Sequence, residues 1–255
     1  MTNEEILIAA MRQSAIDLGC RAEDFTRAEH VIVPSRVSPD ARRYLKLPFL
    51  CGLVSYGSNV VASVDAAYEA PVRAYLHAYP LANLMETPHL HALDDAVAPL
   101  GGRVCFMAEY FLPDVTVLTP RSCAYATRWL GPDDFAALYL PQWSNVLCEK
   151  RRELDEFGLG AYDGDTLVGF AACSADCEGM RQIGIDVLPA YRRQGIAAAL
   201  TSQLAVEILR RGLIPFYCAA WCNLGSVKNA LRAGFRPAWV ETSVRPSAEV
   251  EEMNR

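Results

Sequence analysis

Apolar positions recur at helical spacing at the start of the chain. Leu7, Ile8, Met11 and Ala15 fall on one side of Glu5–Leu18, and Gly19 ends the run. Short β-like runs follow at Val31–Val33, Phe49–Tyr56 and Asn59–Val64, with Gly57-Ser58 as a hairpin turn between the last two. A helix is predicted over Pro71–Tyr79 and a strand over Arg103–Phe111. Pro113, Pro120 and the polar pair Arg121-Ser122 then break the pattern, which places a domain boundary at about residue 123.

The second half alternates more regularly. Helices are predicted from Asp133 to about Leu138 and from Ser144 to Phe157, then strands over Gly158–Asp163 and Leu167–Cys173 joined at Asp163-Gly164-Asp165. In Met180–Leu188 the apolar Ile183, Ile185 and Val187 alternate with Gln182, Gly184 and Asp186, a strand pattern. Gly195–Arg211 carries the helical stripe Ile196, Leu200, Leu204 and Ile208, and Gly212 closes it. A strand over Ile214–Trp221, a short helix over Gly225–Ala233 closed by Gly234 and a last strand over Phe235–Val244 complete the chain. The expected class is α/β: a mixed, mostly antiparallel sheet flanked by helices over residues 124–255, preceded by a smaller α/β domain over 1–123.

Composition narrows the setting. The chain has 255 residues, 52% hydrophobic and 21% charged, as in ordinary globular proteins. No apolar run is long enough to span a membrane, and the acidic start Met1-Thr2-Asn3-Glu4-Glu5 is unlike a secretory signal. The net charge is −6, with 10 basic against 14 acidic residues up to Tyr125 and 14 against 16 after it. Neither half suits a nucleic-acid backbone, and the negative field mildly favours a cationic substrate. Nine scattered cysteines without a leader read as reduced thiols in the cytoplasm. Cys173 with Cys177 and Cys218 with Cys222 have a spacing that zinc can use. Their apolar surroundings favour buried thiols instead, and no metal is expected. His89 and His91 share one face if that segment is extended, although surface or hydrogen-bonded histidines are the plainer reading.

The segment richest in chemistry is Ile185–Leu200. A strand ends at Pro189, a basic loop carries Arg192 and Arg193, and a helix opens at Gly195. A helix N-terminus presents unpaired N–H groups and a positive dipole end, so it can cradle a phosphate. Gly195 permits close backbone approach. Ala197 and Ala198 keep the first turn small.

Val187-x-Pro189-x-Tyr191-Arg192-Arg193-Gln194-Gly195-Ile196-Ala197 resembles the coenzyme A loop of the GNAT acetyltransferase superfamily, with Arg192, Gly195 and Ala197 at its Arg/Gln-x-x-Gly-x-Gly/Ala positions. Asn223-x-x-Ser226 followed by Gly234-Phe235 resembles that superfamily's later Asn-x-x-Ser…Gly-Phe segment. The resemblance covers roughly residues 124–245. It implies an acetyl-CoA-dependent N-acetyltransferase acting on a small primary amine by direct attack. It also implies that the Arg193–Ala197 amides, with Gln194, Gly195 and Ile196 among them, hold the pyrophosphate. Val187 and Leu188 would bond the pantetheine arm, a backbone N–H near Val187 would polarise the thioester carbonyl, and Asn223 would touch the coenzyme.

The sequence departs from the family at the general acid, a tyrosine in many members, where it has Ala230. Ser226 is a substitute, or a helix-capping serine. For the general base, members that use a glutamate early on the motif strand leave this chain with Arg181 or Gln182. Asp186 is the candidate there, against a purely structural strand-end carboxylate; Asp176 and Glu178 are weaker. Tyr191 reads as packing. The N-terminal half matches no motif; it is expected to roof the acceptor site, or to be a degenerate second copy of the same fold. A coenzyme A sensor without turnover and an interaction protein working through the N-terminal half are the rival readings, and a homodimer is left open.

Overall fold

The computed structural model describes all 255 residues. In chain order the regular elements are α1 (Asn3–Leu18), β1 (Val31–Pro34), β2 (Cys51–Ser55), β3 (Val61–Val64), α2 (Glu69–Ala78), α3 (Thr87–Val97), β4 (Gly102–Pro113) and β5 (Ala126–Leu130). Then follow α4 (Pro132–Phe135), β6 (Asp155–Asp163), β7 (Thr166–Ser174), β8 (Met180–Val187), α5 (Ile196–Arg210), β9 (Ile214–Ala219), α6 (Leu224–Ala233), β10 (Phe235–Pro246) and α7 (Ser247–Met253). The architecture is a mixed, mostly antiparallel sheet flanked by helices, as the sequence pattern implies.

Packing groups the chain into two compact units. One comprises Met1–Leu7 and Tyr110–Pro237, the other Ile8–Glu109 and Ala238–Arg255. In the latter, β2 and β3 form the hairpin expected around Gly57, with Val54 opposite Val61. β1 adds parallel to β3 and β10 adds antiparallel to β2. Both hairpin strands are buried throughout, so they lack polar alternation. Leu53, Val72, Leu76, Leu93 and Val97 join them to α2 and α3 in one core. A second feature is a fully buried guanidinium. Arg42 pairs with Asp17 at 3.1 Å and Glu241 at 2.9 Å and donates to Ser14 at 3.2 Å.

Helix α3 corrects the extended reading of the two histidines. Two residues apart on a helix means a turn of roughly 200°, so His89 and His91 point to different sides. His89 lies against the Tyr79 ring with its Nδ1 2.8 Å from Asn83 O, while His91 is exposed.

In the other unit β5, β6, β7 and β8 form an antiparallel meander, and β9 joins β8 in parallel. The predicted stripe Ile196, Leu200, Leu204 and Ile208 is at most 1% exposed, and each such burial contributes roughly 1.5–3 kcal/mol. It packs with Val168, Ala171, Tyr217 and Phe235. Gly169 allows this close approach, because a Cβ there would stand 2.6 Å from Ile196 Cγ2. On the opposite face Phe135, Trp143, Val146 and Leu147 cover Phe170.

The predicted helix over Ser144–Phe157 does not form. A 3₁₀ turn at Pro141–Trp143 and two short 3₁₀ pieces within Glu149–Leu154 replace it, the latter broken where Arg151 leaves helical geometry at φ −145°, and β6 already begins at Asp155. The cause is side-chain competition. The buried Asp155 carboxylate accepts from Cys148 N at 3.2 Å and Tyr139 Oη at 3.0 Å, which pins the segment in an irregular path. Arg151 pairs with the fully buried Asp176, so Asp176 is committed to structure.

Candidate active site

The strand that ends at the basic loop has one paired and one released edge. β8 stays in register with β7 up to Val187 opposite Gly169. Its parallel pairing with β9 covers only Met180–Ile214, Arg181–Pro215 and Gln182–Phe216. Beyond Gln182 and Phe216 the two strands part, and Ile183–Val187 face Tyr217–Ala219 across the opening. Leu188 N donates to Val168 O at 2.9 Å, so its N–H is already used toward β7. By ladder alternation the N–H groups of Val187 and Ile185 point the other way, to the released edge. The Val187 carbonyl accepts from Arg192 Nε at 2.9 Å, which ties the loop back onto the strand end.

The loop itself makes one 3₁₀ turn at Pro189–Tyr191 and then two left-handed residues, Arg193 at φ 65° and Gly195 at φ 84°. For arginine this backbone costs about 1 kcal/mol, and it is the geometry from which anion-holding nests of N–H groups are made. Gly195 is the N-cap of α5, with no side-chain cap bond. The first-turn amides, among them Ile196, Ala197 and Ala198, have no intrahelical acceptor. A Cβ on Gly195 would meet nothing within 4 Å, so the space before the helix is open. Arg192, Arg193 and Gln194 are exposed around it. Gln194 Oε1 accepts from Tyr125 Oη at 2.8 Å and Tyr191 donates to Asp163 at 3.0 Å. Tyr191 thus packs edge-on against Tyr125 beneath the loop.

Asp186 stands on the face of β8 away from α5. Both of its oxygens are held by Asn145, whose N and Nδ2 lie at 3.0 and 2.8 Å. Each oxygen keeps a free lone pair. Gly184 beside it lets the Asn145–Val146 backbone lie directly on the strand. Arg181 is buried in a bidentate pair with Glu156 and cannot serve as a base. Gln182 donates to Cys218 Sγ at 3.2 Å. Glu178 only lends its backbone oxygen to Arg181.

On the far side of the opening, Asn223 caps α6 by accepting from Ser226 N at 3.2 Å. The cap is therefore the asparagine, which frees the Ser226 hydroxyl. That hydroxyl lies 2.6 Å from Tyr217 Oη. Tyr217 is 3% exposed, and burial pushes its hydroxyl above the usual phenol range despite opposing bonds from Ser226 and Asn229. Cys173 is pushed up to about 12 by burial, and Cys177 is buried as well. Cys218 is half-buried and Cys222 exposed, and no three His, Cys, Asp or Glu side chains come together in a metal-holding group.

With this geometry, the sequence model of the GNAT acetyltransferase family matches residues 132–238. Residues 132–238 are a GNAT acetyltransferase domain. None of the curated proteins matches the sequence. Among solved structures, an N-acetyltransferase-like protein from Streptococcus suis is 20% identical at a TM-score of 0.45, over 62% of this chain and 69% of its own. A GNAT acetyltransferase from Colwellia psychrerythraea is 17% identical at 0.43, over 56% and 57%. The structure of yncA from Salmonella typhimurium, solved with acetyl-CoA, is 16% identical at 0.35, over 49% and 95%. The family assignment rests on the sequence model.

GNAT acetyltransferases use acetyl-CoA, and the residues present fit it. The α5 N-terminus of the GNAT domain is uncapped, space is open at Gly195, and two arginines flank it. Tyr217 is the polar group at this opening that sequence reasoning missed. Its one signal is a tyrosine in a strand otherwise made of Ile, Pro, Phe, Cys and Ala, nine residues before Ser226.

Proposed function

We propose that this chain transfers the acetyl group of acetyl-CoA to a primary amine of a small acceptor by direct attack, in the cytoplasm. The observation that carries the reading is the uncapped start of α5, with left-handed Arg193 and Gly195, placed beside the released edge of β8. The amides of Arg193 to Ala197 bind the pyrophosphate, with Arg192 and Arg193 adding charge at its rim. The outward N–H of Val187 bonds the thioester carbonyl and stabilises the oxyanion as the amine adds. Asp186 takes the amine proton through a water, using the lone pairs that Asn145 leaves free. Ser226 donates to the departing sulfur. Asn223 orders the first turn of α6, which sets the Ser226 position. A net charge of −6 favours a cationic acceptor, and nine cysteines scattered along the chain fit a reducing compartment.

The test is thiol release from acetyl-CoA across a panel of small primary amines, with mass spectrometry of the acceptor. The reading expects amine-dependent release and an acceptor one acetyl group heavier. Tight coenzyme binding without release in any mixture would overturn it in favour of a coenzyme-binding module.

A further inference from the structure

The opening between β8 and β9 begins at a tyrosine. Tyr217 is the first residue of β9 beyond the last strand pair, Gln182–Phe216. Its ring packs against Phe111 and Phe235, with centroids at 6.4 and 6.2 Å, and its hydroxyl meets Ser226 at 2.6 Å. A polar chain continues inward, since Asn229 on α6 contacts Thr201 Oγ1 on α5 at 3.0 Å. Asn229 is 8% exposed, and its Oδ1 is buried without a hydrogen-bond partner. Polar side chains inside an apolar core destabilise it unless every group is satisfied, so a partly satisfied network there calls for a role other than packing. Ser226 is the half-buried end of the chain and Tyr217 the deeply buried one.

We infer that Tyr217 and Ser226 form a two-residue proton relay for the leaving thiolate, filling the role left open by Ala230. The inference rests on the acetyl-transfer reading above. As the carbon–sulfur bond breaks, its electron pair stays on sulfur. Ser226 gives its hydroxyl proton to that sulfur and takes the Tyr217 proton. The tyrosinate, stabilised by the Asn229 amide, regains its proton through Ser226, the half-buried end of the chain, after the thiol departs. Ser226 is the group that meets the sulfur, and Tyr217 acts through it. Because burial holds the Tyr217 hydroxyl in its protonated form, the relay is loaded across the neutral range.

Tyr217→Phe removes one oxygen and keeps the ring contacts, so the fold is retained. Wild type, Tyr217→Phe, Ser226→Ala and the double variant are compared for melting temperature, acetyl-CoA binding and steady-state thiol release. The relay predicts that each single variant lowers kcat about 10- to 100-fold, with unchanged acetyl-CoA affinity and KM. The double variant should be no slower than the slower single, because two groups in one relay act as a unit. A folded Tyr217→Phe with full kcat, or single losses that multiply in the double variant, overturns the relay. A wild type that neither binds acetyl-CoA nor releases thiol defeats the underlying reading instead, and is recognised before any variant is measured.

Discussion

Gly184 lies where the backbone of another segment touches β8. A Cβ built there would overlap Asn145 O and stand 2.8 Å from Val146 Cα. Both contacts are backbone, so neither can rotate away. Gly184→Ala must lift the Asn145–Val146 segment, and overpacking of this kind costs about 1–3 kcal/mol. Lifting Asn145 also loosens its two bonds to Asp186, at 3.0 and 2.8 Å, worth about 1 kcal/mol each at a partly exposed site. With mid-range overpacking and the two bonds weakened by about half, the expected total is about 3 kcal/mol. For a protein of this length that lowers the melting temperature by roughly 6–12 °C. Gly179→Ala is the matched control, since its Cβ would meet nothing within 4 Å and its φ is ordinary. The two variants are compared by circular dichroism melting in the same buffer. If Gly184→Ala melts within about 1 °C of Gly179→Ala, the segment is not held against β8 as described, and the Asn145–Asp186 pairing loses its basis.

Asp186→Asn should lower kcat about 100-fold while acetyl-CoA affinity stays near the wild-type value. An equal loss in both would make Asp186 a strand-shaping residue. Asp114 is held well below the usual carboxylate range, at about 2, by hydrogen bonds from Thr116 and Asn3. Its folded value is depressed, so its contribution is present above about pH 4 and disappears as pH falls through about 2. Melting of Asp114→Asn should therefore lie below wild type at pH 7 and converge with it in acid; a constant gap would refute the assignment. A thiol reagent under native conditions should label the exposed Cys222 and leave Cys173 and Cys51 unmodified, because burial pushes both up to about 12. Rapid labelling of Cys173 in the folded protein would contradict its burial.

What could be read from the sequence was mostly what depends on neighbours along the chain. The stripe of α5, the glycine that opens it and the alternation in β8 are local patterns, and each is found where the spacing puts it. The misread elements are those that distant groups decide. The 144–157 segment has helix-forming residues such as Glu149, Lys150 and Leu154, yet the Asp155 carboxylate draws Cys148 and Tyr139 into an irregular path. β5 leaves no signal along the chain because its residues are nearly all exposed and show no apolar alternation. In α3 the helical period of Leu90, Leu93 and Val97 is short and interrupted by the polar His89, His91, Asp94 and Asp95, so it gives a weak local signal. At the site, the phosphate loop was legible because one contiguous run builds it. The Tyr217–Ser226 contact was not, since a strand and the following helix must fold together before the two hydroxyls meet.

The central claim is that the uncapped start of α5 is an acetyl-CoA pyrophosphate site. The direct measurement is the melting temperature of wild type and Gly195→Glu with and without acetyl-CoA. A ligand at about 100 times its dissociation constant stabilises by roughly 2.7 kcal/mol, which raises melting by about 5–10 °C here. The wild type should show that rise. Gly195→Glu, which places a carboxylate in the open space before the helix, should remain folded and show none. Flat melting curves for the wild type at millimolar acetyl-CoA, or an equal rise in both proteins, would contradict the account.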